Sequence, residues 1–475
     1  MNLVLFIALL TLPQDLPDFS RAGYQAGEKP VPKIKKGTDV RDFGAVGDGK
    51  TDATKSIQKA IDAGGVVLLP EGRWLLERPL KISKNGTVLK GAGSGKTILV
   101  CPYSLADMYG ENRNWAWSGA MVSMAGGGKT EALGTITQTT RAGSSLLNVE
   151  GTLPVQKGEW LLLSWFNDKG KDTLLDHLYG GVIPQKKMGK ELQDSTSARV
   201  REWIQVISVE EGSIQIAQPL RIDIRPEWKV TMSRAPHLKE VGIEGVTFEF
   251  PPSPWLGHLK QRGYNGISLG NVINGWVRDI HLINSDSGIF VNSGRYVTVS
   301  DILIQGKKLH HAISASWSAD CLFTRWRIEA DHVHGTTISW AAHGNVFSHG
   351  YGKSLAMDSH RAASFQNLHT AIVIEQGKKY RNPFASGGKY SRGPHAAKQN
   401  VYWNIELRFP KGGDPVKVGP VKEWPLGIFV GWHANRPLEM KPASGLRQMI
   451  RELNRVPEIR DLHKAQKQIR LFQED

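Results

Sequence analysis

Nine of the fifteen histidines fall between His281 and His369, in less than a quarter of the chain. Asp286, His310, His334 and Asp358 follow one another at 24-residue intervals, flanked by His311, His332, His360 and Arg361. The segment Ser348–Leu368 adds His349, Tyr351 and Lys353, so six reactive side chains from His349 to Arg361 occupy thirteen residues. Imidazole titrates closest to physiological pH and is the usual general base. A guanidinium offers a planar fork that matches a carboxylate or sulfate. Together these types suit β-elimination on a uronate-containing polymer. A cation (Arg361, Lys353 or Lys308) would neutralise the substrate carboxylate and so acidify the α-proton at C5. His334, or after it His360, would take that proton. Tyr351 or His310 would protonate the departing glycosidic oxygen. Asp358, His349 and Arg381 join the substrate-binding candidates, with His395, Lys379, Lys389 and Arg392 as a positive rim. Trp317 and Trp340, 23 residues apart, read either as a sugar-stacking pair or as an internal aromatic stack. The bland alternatives are a solvated coil edge for Ser348–Leu368 and stacked turn residues for the histidines.

Composition narrows the partner. Sixty Lys+Arg against forty-five Asp+Glu leave a net charge of +15, which attracts polyanions. No nucleic-acid recognition module is visible, and the basic residues are spread along the chain. Two cysteines, Cys101 and Cys321, exclude a disulfide-dense scaffold and a four-thiolate metal centre. The apolar run Leu3–Leu12 is too short to span a bilayer, so no stable membrane insertion is expected. It reads as the centre of a secretory signal over residues 1–20, although no basic residue precedes it. A secreted or periplasmic protein acting on an acidic polysaccharide follows.

The elements that must position these residues are short strands. Thr51 or Asp52 caps a helical pattern over Ala53–Ala63, which Gly64 and Gly65 end. Strands are predicted at Val66–Leu69, Leu80–Ile82, Thr87–Lys90 and Thr97–Val100, each stopped by Gly, Pro or Asn. Gly91–Thr97 imitates a phosphate-binding loop, but only three residues separate its first glycine from the Gly-Lys pair and no long helix follows. From Leu238 the pattern repeats. Ile267, Ile289 and Ile313 stand 22 and 24 residues apart, and Ile338 follows at 25. Trp276, Tyr296 and Cys321 open segments that recur at 20 and 25. A period of this size marks a solenoid, whose coils bury their faces only by stacking. Loops are predicted at about 104–145 and 167–197, and a helical extension at 441–475.

The segment DVRDFGAVGDGKTDATKSIQKAID followed by GGVVLLPEGRW, residues 39–74, resembles the N-terminal signature of the pectate-lyase-like superfamily. That signature has the form DFGAVGDGxTDDTxAIQxAId…GgvVxxPxGxY; Ala53 replaces the second Asp of its pair, and Trp74 its closing aromatic. The resemblance implies an all-β fold: a single-stranded right-handed parallel β-helix over 21–440, with a capping helix at its N-terminal end. It carries no catalytic residue with it. Hydrolases of this architecture resemble one another in Asp pairs on adjacent coils, since one carboxyl must protonate the leaving oxygen and another activate water. No Asp-Asp pair occurs here, and Asp286, Asp331 and Asp358 are singles. Calcium-dependent lyases of the superfamily use clustered acidic ligands, because calcium takes about six oxygens. No such cluster is seen, so no metal or other cofactor is expected, calcium being the one candidate. A polysaccharide lyase is the leading reading. A glycoside hydrolase, a C5-epimerase and a non-catalytic carbohydrate-binding protein are the alternatives.

Overall fold

A computed structural model describes residues 16–167, 173–419 and 421–474. The repeating segments do stack. Each short strand pairs in parallel with its counterpart one coil later, which gives the backbone hydrogen bonds that an isolated strand lacks. A fifteen-stranded sheet runs along one face, from Thr38–Asp39 through Gly242–Glu249, Thr298–Gln305 and Val346–Lys353 to Met449–Arg451. A seven-stranded sheet forms a second face, from Leu80–Ile82 through Asn265–Gly270, Ser287–Asn292, Leu309–Ser316 and His332–Ser339 to Met357–Ser359. Single parallel bridges linking Ile273, Arg295, Ala319, His343 and Phe365 mark a third edge. The protein is a right-handed parallel β-helix.

The predicted strands at Val66–Leu69, Leu80–Ile82 and Thr97–Val100 form with those bounds, and the one predicted at Thr87–Lys90 lies at Val88–Gly91. Ile267, Ile289 and Ile313 are direct neighbours across the second sheet. One coil further the neighbour of Ile313 is Thr336, while Ile338 lies beside Ala315. The helix Thr54–Ala63 closes the N-terminal end and buries Ile57, Ala60 and Ile61. The N-cap position falls on buried Ala53, which has no side-chain cap, and Asp52 just before it accepts from the Thr54 amide at 3.0 Å. The Gly91 loop is a coil turn: a Cβ at Gly91 would sit 2.0 Å from the Gly245 carbonyl oxygen.

Inside the coil, side chains stack in register. Phe323, Phe347, His369, Tyr402 and Phe429 form a ladder with centroids 4.4, 4.9, 5.0 and 5.5 Å apart. Each aromatic contact of this kind adds about 0.5–1.5 kcal/mol beyond burial. Asn345, Asn367 and Asn400 form a buried amide ladder, bonded in sequence at 2.9 and 2.9 Å. Because every rung satisfies the next, these polar groups tolerate burial.

Two elements depart from expectation. Strands from Glu131–Ile136 to Val230–Arg234 form a separate six-stranded antiparallel sheet, of which only Glu131–Ile136 lies in a segment expected to be loop. It has its own core around Leu161, Trp165, Val200, Ile204 and Trp228. Alternation in these strands is interrupted by bulges at Trp165/Phe166 and Val206/Ser208, which obscures the period in sequence. Buried ion pairs join this lobe to the coils: Glu202 to Arg295 at 2.9 Å, Arg295 to Asp320 at 2.7 Å, and Arg221 to Asp320. At the C-terminus only Leu462–Glu474 is α-helical, and Met449–Arg451 adds a strand to the long sheet instead.

Residues 1–15 of the expected leader lie outside the described residues. From Leu16 the chain belongs to the packed structure. The Phe19 amide donates to Gln466 at 2.9 Å, and Gln466 donates to the Pro17 carbonyl at 2.9 Å. Phe19, Ser20 and Ala22 are buried. Among the described residues, no helix is long and apolar enough to cross a membrane.

Candidate active site

Four of the nine clustered histidines meet on the second sheet, and a fifth joins them from a loop. His310 and His311 stand near the start of one strand, His334 lies on the next, and His360 follows Met357–Ser359. His258 reaches them from residues 251–264, a connection rich in Pro and Gly. Ring centroids lie 5.0 Å apart for His258 and His310, 5.2 Å for His310 and His334, 4.4 Å for His311 and His334, and 4.7 Å for His334 and His360. The 24-residue ladder is only approximate. His334 is the register partner of His311, and Asp358 that of Thr337.

Asp358 organises the cluster. Fully buried, its Oδ2 lies 2.8 Å from His360 Nδ1 and 3.0 Å from His334 Nδ1, while its Oδ1 accepts the Gly387 amide at 2.8 Å. The imidazoles and these hydrogen bonds hold its carboxyl well below the usual range against the opposing effect of burial. The carboxylate hydrogen-bonds His360 Nδ1, which places the proton there and leaves a lone pair on Nε2, while His334 Nδ1 meets it only as a close ion-pair contact. Gly387 is required: a Cβ there would meet His334 Cε1 at 2.6 Å and His360 Cε1 at 2.8 Å.

The other rings are neutral. Burial pushes the His310 imidazole down to about 3, with its imidazole neighbours adding to the effect. His311 is held well below its ordinary value for the same reasons, and His258 is lowered, burial again first. His310 Nδ1 donates to the Ala116 carbonyl at 2.7 Å, and its Nε2 is buried with no hydrogen-bond partner among the described residues.

The surroundings suit a sugar polymer. Tyr109 and Trp117 are exposed in the connection that supplies Ala116, and Arg113 lies 5.7 Å over the Trp117 ring. Lys308, exposed, lies 5.1 Å over Trp255, three residues from His258. Tyr390 is exposed in the loop that contains Gly387.

Other sequence candidates are placed elsewhere. Tyr351, His349 and Lys353 lie on the long sheet, on the strand Val346–Lys353. Tyr351 bonds Glu375 and lies under Arg327, and His349 approaches Asp461 at 3.4 Å. The alternation of that strand sends these side chains out on a different face from the imidazoles. Arg361 is buried and committed: it pairs with Glu423 at 3.0 Å and donates to the carbonyls of Gly388 and Gly393. Arg381 donates to the carbonyls of His332 and Val333 at 2.7 and 2.6 Å. Trp317 and Trp340 stack 5.5 Å apart, with Arg201 4.7 Å over the first and Arg392 4.5 Å over the second. Each ring thus carries a guanidinium, and both remain half-buried. His332 opens the strand His332–Ser339 and is committed, its Nδ1 donating to the Ala330 carbonyl and its Nε2 accepting the Ala356 amide. Asp286 pairs with Lys307 at 2.8 Å. His258, Arg113 and Trp117 escape a reading by period because they lie in loops with no repeat.

Residues 37–126 match the family described as rhamnogalacturonase A/epimerase, pectate lyase-like. Among curated proteins, Alginate lyase 7 of Azotobacter vinelandii is 31% identical over 159 residues, 31% of this chain and 15% of that protein. Mannuronan C5-epimerase AlgE4 of the same organism is 42% identical over 72 residues, 13% of each chain. The pre-neck appendage protein of Bacillus phage B103 is 43% identical over 63 residues, 13% of this chain and 7% of its own. The chain thus spans 15% or less of the length of these relatives. Among solved structures, tailspike gp49 of Pseudomonas phage LKA1 superposes with a TM-score of 0.45 at 11% identity, over 88% of this chain and 81% of that one. The AlgE4 A-module of Azotobacter vinelandii gives 0.38 at 12% identity, over 90% and 98%.

Proposed function

We propose that the protein is a secreted or periplasmic polysaccharide lyase that cleaves an acidic, uronate-containing polymer by β-elimination at the Asp358 cluster. The observation that carries this reading is the fork from Asp358 Oδ2 to His334 Nδ1 and His360 Nδ1. A carboxylate on Nδ1 orients an imidazole and stabilises the imidazolium formed when Nε2 accepts a proton. His360 is the base, since its side chain is 22% exposed against 6% for His334.

In this reading His360 Nε2 takes the C5 proton. The C5–H electron pair forms the C4–C5 double bond, the C4–O bond breaks, and the departing oxygen takes the proton back from the His360 imidazolium. Lys308 and Arg113 border the site and supply positive charge for the substrate carboxylate. Trp117, Tyr109 and Tyr390 offer aromatic faces to sugar rings. Two of the partial relatives are named for lyase and epimerase chemistry on alginate and mannuronan, which supports a uronate substrate.

A C5-epimerase shares the first step. The experiment that separates the outcomes is incubation with polyuronates in deuterated water, followed by NMR of the polymer. An unsaturated, shortened product supports elimination. Deuterium at C5 without shortening makes the protein an epimerase. New reducing ends without unsaturation replace both with hydrolysis.

A further inference from the structure

We propose that His258, His310 and His334 form a binding site for a single divalent transition-metal ion of the zinc type. The inference deepens the reading above and rests on it for the ion's role. One ring nitrogen from each of the three residues lies within 4.8 Å of the others. Three imidazoles with a fourth position left open are the ligand set of a catalytic zinc site.

The contacts behind two of the rings leave a nitrogen on each for ligation. His310 Nδ1 donates to the Ala116 carbonyl, which leaves its buried Nε2, without a partner among the described residues, with a free lone pair. His334 Nδ1 lies 3.0 Å from Asp358 Oδ2, so its Nε2 is the nitrogen left to meet an ion. A carbonyl behind one ligand and a carboxylate behind another are the outer contacts that fix metal-binding histidines. His258 is exposed on its loop and has the freedom to close the separation to the roughly 3.4 Å that ligands about 2.05 Å from a tetrahedral ion require. No carboxylate belongs to this trio, so the ligand set suits zinc, cobalt or nickel and not calcium.

The ion would add to the positive charge that Lys308 and Arg113 bring to the rim of the site. Arg361 is tied to Glu423 and Arg381 to backbone carbonyls, so neither is free to meet a substrate carboxylate. A divalent ion with an open position would bind that carboxylate beside His360 and acidify C5.

The test uses the full-length protein, stripped with chelator and titrated without substrate. Zn²⁺ is followed by competition with a chromophoric chelator, and Co²⁺ by its visible absorption. One equivalent is expected to bind, with the intense absorption of tetrahedral cobalt. His258→Ala is expected to weaken binding at least tenfold, as is His310→Gln. Asp358→Asn, which removes an outer contact, is expected to weaken it about 10–100-fold. Absence of binding, or binding unchanged in His258→Ala, overturns the proposal; His258 is exposed, so that variant retains the fold. Elimination assayed in chelator is scored separately. Product formed by metal-free protein that binds no ion discards the metal and leaves the lyase reading standing. Metal binding without any elimination does the reverse.

Discussion

Asp358 Oδ2 lies 2.8 Å from His360 Nδ1, and the same oxygen lies 3.0 Å from His334 Nδ1. One buried carboxylate thus hydrogen-bonds one imidazole and closely contacts a second on the adjacent coil. Replacing it with Asn keeps the volume and the acceptor for Gly387 but removes the charge. Asp358→Asn is expected to lower kcat/KM by about 10²–10⁴-fold while the circular dichroism spectrum stays unchanged. An active variant would remove His360 from the role of oriented base.

Arg361 has a structural part. Its guanidinium is buried against Glu423 and the carbonyls of Gly388 and Gly393, with Tyr390 stacked 4.5 Å away. Arg361→Ala is expected to destabilise the protein by about 3–5 kcal/mol, because it leaves a carboxylate and carbonyls without their donor. Denaturant unfolding measures this. A raised KM with unchanged stability would instead assign Arg361 to substrate.

Tyr351 tests the separation of the two faces. Burial first, then the hydrogen bond to Glu375, pushes its hydroxyl up to about 12. It stands on the long sheet, away from the imidazoles. Tyr351→Phe is expected to leave kcat/KM at the wild-type value in a steady-state assay. A large loss would bring the second face into the chemistry.

The aromatic ladder makes stability depend on pH. Burial lowers the His369 imidazole from its ordinary 6.5 to about 3. The unfolded chain therefore binds this proton first. The neutral His369 contributes fully above pH 6.5, and its contribution falls between pH 6.5 and about 3, by roughly 1.4 kcal/mol for each pH unit in that window. His369→Phe continues the Phe347–Tyr402 stack and is expected to flatten the acid limb of a thermal-melt series. An unchanged limb would place the acid sensitivity in other groups.

The solenoid was legible because its cause is local and periodic. Ile267, Ile289 and Ile313 recur because each covers the one before it, and Asp39–Trp74 carries the capping motif in one continuous stretch. Stacking also brings His310, His334, Asp358 and His360 near one another, but one residue off the 24-residue interval, since His334 pairs with His311 and Asp358 with Thr337. What escaped lacks a period. His258 arrives from a loop, and the antiparallel lobe interrupts its alternation with bulges. The commitment of Arg361 depends on Glu423, 62 residues away. Tyr351 shares a short segment with His360, yet the chain turns a corner between them and sends the two to different sheets.

The most direct test compares wild-type protein with Asp358→Asn on a panel of polyuronates, following ultraviolet absorbance of the unsaturated product and new reducing ends in the same samples. The account predicts that both signals rise together on at least one polymer for the wild type and nearly vanish for the variant. Reducing ends that appear without absorbance, or absorbance that the variant retains, would contradict elimination at the Asp358 cluster.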